Sequence, residues 1–351
     1  MGQPLKICFF GIYDPAYSRN AILLAGLRQA GVDVVECRED WRDPKRYAKL
    51  KKSLRALRDD YDFVYAAYPS PVSTILAKMI SKKPVVSDAF YSMFDSVVND
   101  RRKYSRFGPK ALKLLILDWF GLMFADMIVA DTEQHKEYWA RWFLVNSEKI
   151  FTVYLGINDK VFYPKPATKK DYTLVHFHGT YIPLQGACNI IEAVNLCRDK
   201  KDLRFRMIGA GRELPLARSL ADRYKLDNIE FIDRNVPLTD LNNYLAEADI
   251  VLGVFGDRAK TMRVIPNKVY EGLATERPMI TMDTPAVREI FTDEDMLLVK
   301  NDPQSIVNGI TKLAADKSLR DSLAKHGYDT ACKHRPTEVA QSLVDILSKV
   351  I

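Results

Sequence analysis

The stretch VIPNKVYEGLATERPMITMDTPAVREIF, Val264 to Phe291, sets the architecture of this 351-residue chain. Pro266 suits a helix entry, where its fixed φ and missing N–H cost nothing. A short helix is therefore predicted from Asn267 to about Thr275, ended by the polar run before Pro278. Pro278 to Met282 reads as a short apolar strand, and Asp283-Thr284-Pro285 as a capping turn into a further helix. Immediately upstream, ADIVLGVFG (Ala248–Gly256) is apolar and rich in β-branched residues, the pattern of a buried parallel strand. Strand, loop, helix and strand together make one βαβ unit.

The loop of that unit concentrates positive charge. Arg258, Lys260 and Arg263 lie between strand and helix, with Lys268 in the first helical turn. A helix N-terminus already presents unpaired N–H groups and a positive dipole end, so added cations are unfavourable there until an anion arrives. A diphosphate meets that requirement. Glu271, one turn further, would face the same mouth and accept hydrogen bonds from a ribose diol. A solvated basic loop with a surface glutamate is the plain alternative, and short motifs alone do not separate the two.

Length alone suggests two domains, since 351 residues exceed one ordinary core. Hydrophobic residues at 47% and charged residues at 28% are those of an ordinary soluble globular chain. No apolar run approaches the ~20 residues of a membrane span. The opening MGQPLKICFF passes directly into a strand, with no cleavable signal pattern. Five cysteines without a Cys-x-x-Cys argue against a disulfide framework and for a reducing cytoplasm. The net charge of +7 is uneven, because the first 163 residues hold 25 Lys and Arg against 19 Asp and Glu. No nucleic-acid-binding motif accompanies that excess, so an anionic surface or an anionic acceptor is the expected partner of the N-terminal half.

LKICFF (residues 5–10) reads as the first strand, followed by a helix with Ser18 as N-cap and Gly31 just past its end, then by the strand VDVVEC (Val32–Cys37). This βαβ start lacks Gly-x-Gly-x-x-Gly. Asp14, Tyr17, Arg19 and Asn20 sit at the carboxyl end of the first strand, where open α/β sheets bind ligands, although an ordinary capped loop would look the same. Residues 44 to 60 form a basic helical run that reads as a solvated face. FVYAAYP (Phe63–Pro69), PVVSDAF (Pro84–Phe90) and DMIVAD (Asp126–Asp131) are further buried strands, and the alternation with helices predicts one parallel sheet covered on both faces. KALKLLILDWFGLMF (Lys110–Phe124) is an apolar helix preceded by Arg101, Arg102, Lys103 and Arg106. Most of it reads as core, while its basic rim is also what an interfacial patch presents, so peripheral contact with an anionic membrane stays open. Asp88 lies near the end of the PVVSDAF strand, Tyr91, Asp95 and Asp100 follow it in a polar loop, and His135 opens another strand-to-helix loop. These are acceptor-side candidates, with a structural histidine as the alternative at 135.

TLVHFHG (Thr173–Gly179) opens the second half as a strand. His176 and His178 share one face at a spacing seen in metal sites, but no third ligand is apparent, and they read as structural. FRMIGAGREL (Phe205–Leu214) is a strand running into the turn Gly209-Ala210-Gly211, and IEFIDRNVP (Ile229–Pro237) is the next strand. Residues 302 to 330 read as helical, and Arg335 to Ile351 as a last amphipathic helix.

The residues from Pro266 onward resemble the C-terminal signature of the family-4 glycosyltransferases, enzymes of the GT-B fold. Many members read Pro-x-Lys-x-x-Glu, a small-residue helix end and a Pro-Val-Ile strand; here Pro266, Lys268, Glu271 and Pro278-Met279-Ile280 occupy those places. The similarity spans most of residues 150 to 330 and, more weakly, the N-terminal half. TVYLGINDKVFYPKP (Thr152–Pro166) resembles the family's interdomain segment, and the Pro and Lys run to Lys170 reads as a hinge. The resemblance implies an α/β architecture of two Rossmann-like parallel-sheet domains facing each other across a cleft. Residues 1–163 would form the acceptor side and 164–334 the nucleotide-sugar domain, with 335–351 a helix returning to the first.

It also implies that Glu271 contacts the nucleotide ribose. Arg263 stands where the family has its first glutamate, a departure from the usual sugar contact. The loop from Gly179 carries Thr180 and Gln185 where many relatives have an arginine and a lysine gripping the diphosphate, and Arg258, Lys260 and Arg263 are then the compensating charge. Gly209 and Gly211 stand at the family's glycine turn, Arg234 and Val236 in the loop that meets the base, and Pro266 and Asn267 at the helix mouth. Arg263, Glu271 and Lys268 are the expected catalytic residues.

The activity so implied is metal-independent transfer of a sugar, with retention, from a UDP or GDP type nucleotide sugar to a glycan or lipid-linked acceptor. The leaving phosphate would take the acceptor's proton on the same face, and domain closure would exclude water. No bound cofactor, metal or nucleic acid is expected, and the expected location is the cytoplasm, including the inner membrane face. Other readings stay beside this one: a catalytically inactive partner or sugar-nucleotide sensor, suited by uncharged Thr180 and Gln185, and a GT-B epimerase. A phosphorylase would need a cofactor-lysine site that the sequence does not display.

Overall fold

The computed structural model describes residues 4–349 except 167 and 169, and it divides into two compact units, Met1–Gly156 with His334–Ile351, and Ile157–Lys333. The first boundary lies upstream of residue 163. Residues 157 to 163 go with the second unit because Ile157 and Phe162 are buried and the Tyr163 N–H donates to Asn242 Oδ1 at 3.4 Å. Positions 167 and 169 of the expected hinge, and 350 and 351 of the expected last helix, lie outside the described residues.

In the first unit the strands β1 (Lys6–Gly11), β2 (Asp33–Arg38), β3 (Phe63–Ala66), β4 (Val85–Asp88), β5 (Met127–Ala130) and β6 (Ile150–Thr152) form one sheet in the order β2-β1-β3-β4-β5-β6. Every pairing is parallel. Parallel neighbours need crossovers, and these are the helices α1 (Ser18–Gln29), α2 (Arg46–Ala56), α3 (Pro71–Lys78), α4 (Pro109–Phe124) and α5 (Glu133–Phe143). Strands β3, β4 and β5 are buried at all positions, which explains their unbroken apolar runs. The C-terminal helix α12 (Pro336–Leu347) lies on α1, burying Val339, Ala340, Leu343 and Leu347. Helix α1 begins at Ser18 itself, with Tyr17 in the N-cap position, one residue earlier than expected.

The second unit repeats the plan. Strands β7 (Thr173–Gly179), β8 (Leu203–Gly209), β9 (Ile229–Ile232), β10 (Ile250–Leu252), β11 (Met279–Met282) and β12 (Leu297–Val299) are parallel in the order β12-β11-β10-β7-β8-β9. The helices are α6 (Ala187–Leu196), α7 (Leu214–Tyr224), α8 (Leu238–Glu247), α9 (Asn267–Ala274), α10 (Pro303–Ala315) and α11 (Lys317–Cys332). The core packs Phe177, Phe205, Leu252, Phe255 and Ile280 against Ile190, Ile191, Ile306 and Ile310. Both sheets are therefore Rossmann-like, the second in the doubly wound dinucleotide-fold order.

Two expectations are corrected here. The segment after Asp283 makes only a single 3-10 turn, Val287–Glu289, not a helix. Thr284 Oγ1 accepts from the Val287 N–H at 3.2 Å, but Arg288 is then clamped by Asp283 and Asp293, and the chain turns back to supply β12. The ADIVLGVFG segment is a regular strand only over Ile250–Leu252, with Gly253 and Val254 still hydrogen-bonded to the backbone of β11. Beyond it, the N–H groups of Phe255 and Gly256 donate to the carbonyls of Gln185 and Leu184, so the chain leaves the sheet for the loop after β7.

Candidate functional site

The second sheet grows from β7 outward through β8 and β9, then restarts on the other side with β10, β11 and β12. Crossovers on the two sides lie on opposite faces, and this leaves a crevice at the carboxyl ends of β7 and β10, the usual ligand position in open α/β sheets. The loop after β7 and helix α9 meet there. Gly209 adopts φ +130°, and a Cβ on it would lie 1.8 Å from the Gly179 carbonyl oxygen; a Cβ on Gly211 would lie 1.7 Å from that of Thr180. Only glycines let the β8 turn close on the β7 loop this tightly.

His178, the penultimate residue of β7, places Nε2 at 3.0 Å from Glu271 Oε2 on α9. Burial pushes the His178 pKa below its ordinary value, against the pull of Glu271. The neutral tautomer with its proton on Nε2 is the one that donates this bond. His176 is fully buried beside it, ring centroids 5.4 Å apart, and neither of its nitrogens has a hydrogen-bond partner among the described residues. Burial, with His178, Arg206 and Lys268 nearby, drives its pKa well down.

Lys268 is the residue without an ordinary explanation. It is only 4% exposed, its Nζ sits 3.8 Å from the Phe177 ring centroid, and that nitrogen has no hydrogen-bond partner among the described residues. Burial pulls its pKa well below the lysine value, and only the charge of Glu271 opposes this. Burying a lysine amine without a partner is costly, so the arrangement is one an incoming anion would complete. The Nζ lies against Gly179, where an added Cβ would come within 2.7 Å of it.

Around this centre the predicted residues separate. Gln185 is buried and bonds to its own loop, while Thr180 is exposed: Gln185 Oε1 accepts from the Tyr181 N–H at 3.2 Å and Gln185 Nε2 donates to Thr180 Oγ1 at 3.3 Å. Arg258, Lys260 and Arg263 flank and form the 3-10 turn Ala259–Arg263 ahead of α9, all half-buried, with Arg258 Nε at 3.4 Å from Asp257. Pro266 is the N-cap of α9 and Asn267 its first residue. Arg234 and Val236 follow β9, the edge strand two places from β7, with Arg234 exposed. Among the described residues no three His, Cys, Asp or Glu side chains converge as a metal-ligand set. The His178–Glu271 contact and the burial of Lys268 were not foreseen; the two-residue spacing of the histidines on β7 was the available signal.

The acceptor-side candidates lie in the first unit. Arg19 and Asp88 are fully buried and paired, Nε and Nη2 of Arg19 lying 3.2–3.3 Å from the Asp88 oxygens. Arg19 Nη1 also donates to the carbonyls of Val153 and Tyr154 at 2.8 and 3.2 Å. Asn20 Nδ2 donates to the carbonyls of Asp14 and Tyr68, and Asp14 Oδ1 accepts from the Ala16 N–H. Tyr17 stacks on Tyr68 with centroids 4.6 Å apart, and Phe90 and Tyr91 meet Tyr68 edge-on. Tyr17 and Tyr68 follow β1 and β3, the strands at the switch point of the first sheet. His135 is buried, Nδ1 at 2.6 Å from Asp131, and stacked on Trp139. Asp95 opens a π-helical turn, Asp95–Asp100, where a polar loop was expected. The turn is anchored by buried Asp118, which accepts from Ser92 Oγ and from the N–H groups of Met93 and Phe94. Burial raises the Asp118 pKa to about 6.

Two family descriptions match the chain. "Glycosyl transferases group 1" matches residues 173–316, and "Glycosyltransferase Family 4" matches residues 13–161. Among solved structures the chain is similar to a sucrose-phosphate synthase from Thermosynechococcus elongatus, at 16% identity and a TM-score of 0.76 over 99% of each chain. It is similar to Anabaena HepE in complex with UDP and glucose, at 14% identity and a TM-score of 0.73, covering 98% of this chain and 100% of that one. A glycosyltransferase from Rickettsia africae gives 13% identity and a TM-score of 0.70 over 99% of each. At such identities the likeness speaks for the fold. No curated protein matches the chain.

Proposed function

We propose, on the premise that this chain belongs to the group 1 and family 4 glycosyltransferases its two halves match and has their GT-B fold, that it transfers a sugar from a nucleoside-diphosphate sugar to a glycan or lipid-linked acceptor in the cytoplasm. The observation that carries the donor reading is the Lys268 amine, buried over the Phe177 ring and without a hydrogen-bond partner among the described residues, at the switch point of the second sheet beside the His178–Glu271 pair. A diphosphate offers that amine its missing acceptors. HepE was solved with UDP, which makes UDP sugars the first donors to test and GDP sugars the second.

In this reading Glu271 keeps Oε2 on His178 and accepts a ribose hydroxyl at Oε1, while His178 holds the carboxylate in place. Lys268 and the first N–H groups of α9 meet the diphosphate, with Arg258, Lys260 and Arg263 adding positive charge at the same end of the helix. As the bond from the anomeric carbon to the phosphate oxygen breaks, negative charge grows on the leaving diphosphate, and fixed cations stabilise it without a metal ion. The acceptor oxygen then bonds to the anomeric carbon on the same face, and its proton goes to the leaving phosphate, so configuration is retained.

The test is release of free nucleoside diphosphate from UDP and GDP sugars on addition of glycan acceptors. Wild-type turnover, with loss of about a hundredfold or more in Glu271→Ala and Lys268→Ala at unchanged circular dichroism, supports the reading. Tight nucleotide binding with no release for any acceptor points to the second reading, a sugar-nucleotide sensor. That reading is favoured by Thr180 and Gln185 bonding to each other where charged residues would grip a diphosphate.

A further inference from the structure

Helix α4 of the first unit carries two unlike faces. On one, Ala111, Asp118, Gly121 and Leu122 are buried as the helix packs on α3 and into the cluster of Ala89, Ile128 and Trp139. On the other, Leu112, Ile116, Trp119, Phe120, Met123 and Phe124 are 39–56% exposed. Their positions, i, i+4, i+7, i+8, i+11 and i+12, fall on a single helical stripe. Scattered apolar side chains are ordinary on a surface, but six in one stripe are not. Phe107, just ahead of the helix, is 95% exposed and lengthens the patch.

The rim has one sign. Arg102, Lys103, Arg106, Lys110 and Lys113 are all exposed, and Lys103 and Lys110 bracket the Tyr104 ring at 5.7 and 5.0 Å. Between residues 101 and 124 the sole acid is Asp118, which is buried under its three hydrogen bonds and faces away from this surface. An acidic protein partner would not need six apolar side chains, and an apolar one would not need the cationic rim. A surface that is hydrocarbon within and anionic at its edge needs both. At 16 residues α4 is too short to span a bilayer, and no helix of the described residues is long and apolar enough to do so.

We propose that the α4 stripe and its basic rim dock the first unit onto an anionic lipid bilayer, the helix lying in the plane of the interface with Trp119, Phe120 and Met123 in the acyl boundary. This inference stands apart from the donor site, because no residue of the second unit takes part in it.

The experiment is co-sedimentation of the full chain with vesicles of phosphatidylglycerol mixed with phosphatidylcholine, or of phosphatidylcholine alone. The protein should sediment with the anionic vesicles at low salt, not with the neutral ones, and should be released at about 1 M salt, where the Debye length is about 3 Å. Reversing the rim with Arg102→Glu, Lys103→Glu and Arg106→Glu should weaken binding about a hundredfold or more. Replacing Trp119, Phe120 and Met123 by serine should weaken it at least about tenfold with the rim intact. The rim residues are exposed, so their reversal should leave the melting temperature at the wild-type value; Trp119, Phe120 and Met123 are 39–45% exposed, so the serine variant should melt lower but keep the wild-type circular dichroism. No sedimentation of wild type at low salt overturns the proposal, as does wild-type binding by the serine variant. A lipid-free dimer that the serine variant abolishes would also overturn it, assigning the face to a second copy of the chain.

Discussion

His178 Nε2 donates to Glu271 Oε2 across 3.0 Å, joining the end of the central strand β7 to the helix α9 that the next strand pair delivers. The bond spans 93 residues of sequence and fixes one carboxylate oxygen. If Glu271 holds the ribose, His178 is its positioning residue. His178→Phe should then raise the nucleotide Kd by about tenfold to a hundredfold, the worth of a hydrogen bond to a charged group, while Glu271→Ala should raise it at least as much. Calorimetric titration with UDP and GDP reads both. An unchanged Kd in His178→Phe would remove the positioning role.

Lys268 should cost the unliganded protein stability. Its folded pKa lies well below the unfolded 10.5 because it is buried. Between those two values the unfolded chain binds more protons than the folded one, so stability from this group rises with pH through that window. Lys268→Met has no such dependence. The variant should be more stable at neutral pH by on the order of 1–3 kcal/mol, the desolvation cost of an unpaired buried group, and the gap should close as pH approaches 10.5. Urea unfolding across pH measures this; parallel curves for the two proteins would contradict it.

The same amine should take up a proton when a diphosphate arrives, since the anion favours its charged form. Titrating nucleoside diphosphate in buffers of different ionisation enthalpy should show uptake approaching one proton per site in wild type. Lys268→Met should show markedly less. Equal uptake in both would place the proton elsewhere.

In the first unit, removing one partner of the buried Arg19–Asp88 pair leaves a charge in the core. Arg19→Met should destabilise by about 3–5 kcal/mol, while Arg19→Met with Asp88→Leu together should cost clearly less than the single change. Additive losses in denaturant unfolding would show that the two side chains do not act as a pair.

Much of the fold was legible because its signals are local. TLVHFHG became β7 at the predicted ends, and Pro266 set the start of α9 as its fixed φ suggests. Strand β12 was missed because three half-buried residues, Leu297–Val299, carry no periodicity of their own and gain their place by pairing with β11. The site was legible in part. Pro266, Lys268 and Glu271 were named from their place at a helix mouth and from the family resemblance, but a lysine in a first helical turn reads as solvated, since lysines seldom lose their water. Its burial is decided by Phe177 and Gly179, some 90 residues away in sequence. Arg19 and Asp88 read as residues open to a ligand for the same reason: nothing within either segment announces that the other will neutralise it.

The seat of the diphosphate is tested most directly by comparing UDP with UMP, and GDP with GMP, as ligands of wild type and Lys268→Met. The account predicts that wild type prefers the diphosphate by about a hundredfold or more, and that the substitution erases most of this preference while the folded protein persists in circular dichroism and melting. Diphosphate binding by Lys268→Met at the wild-type Kd would contradict it.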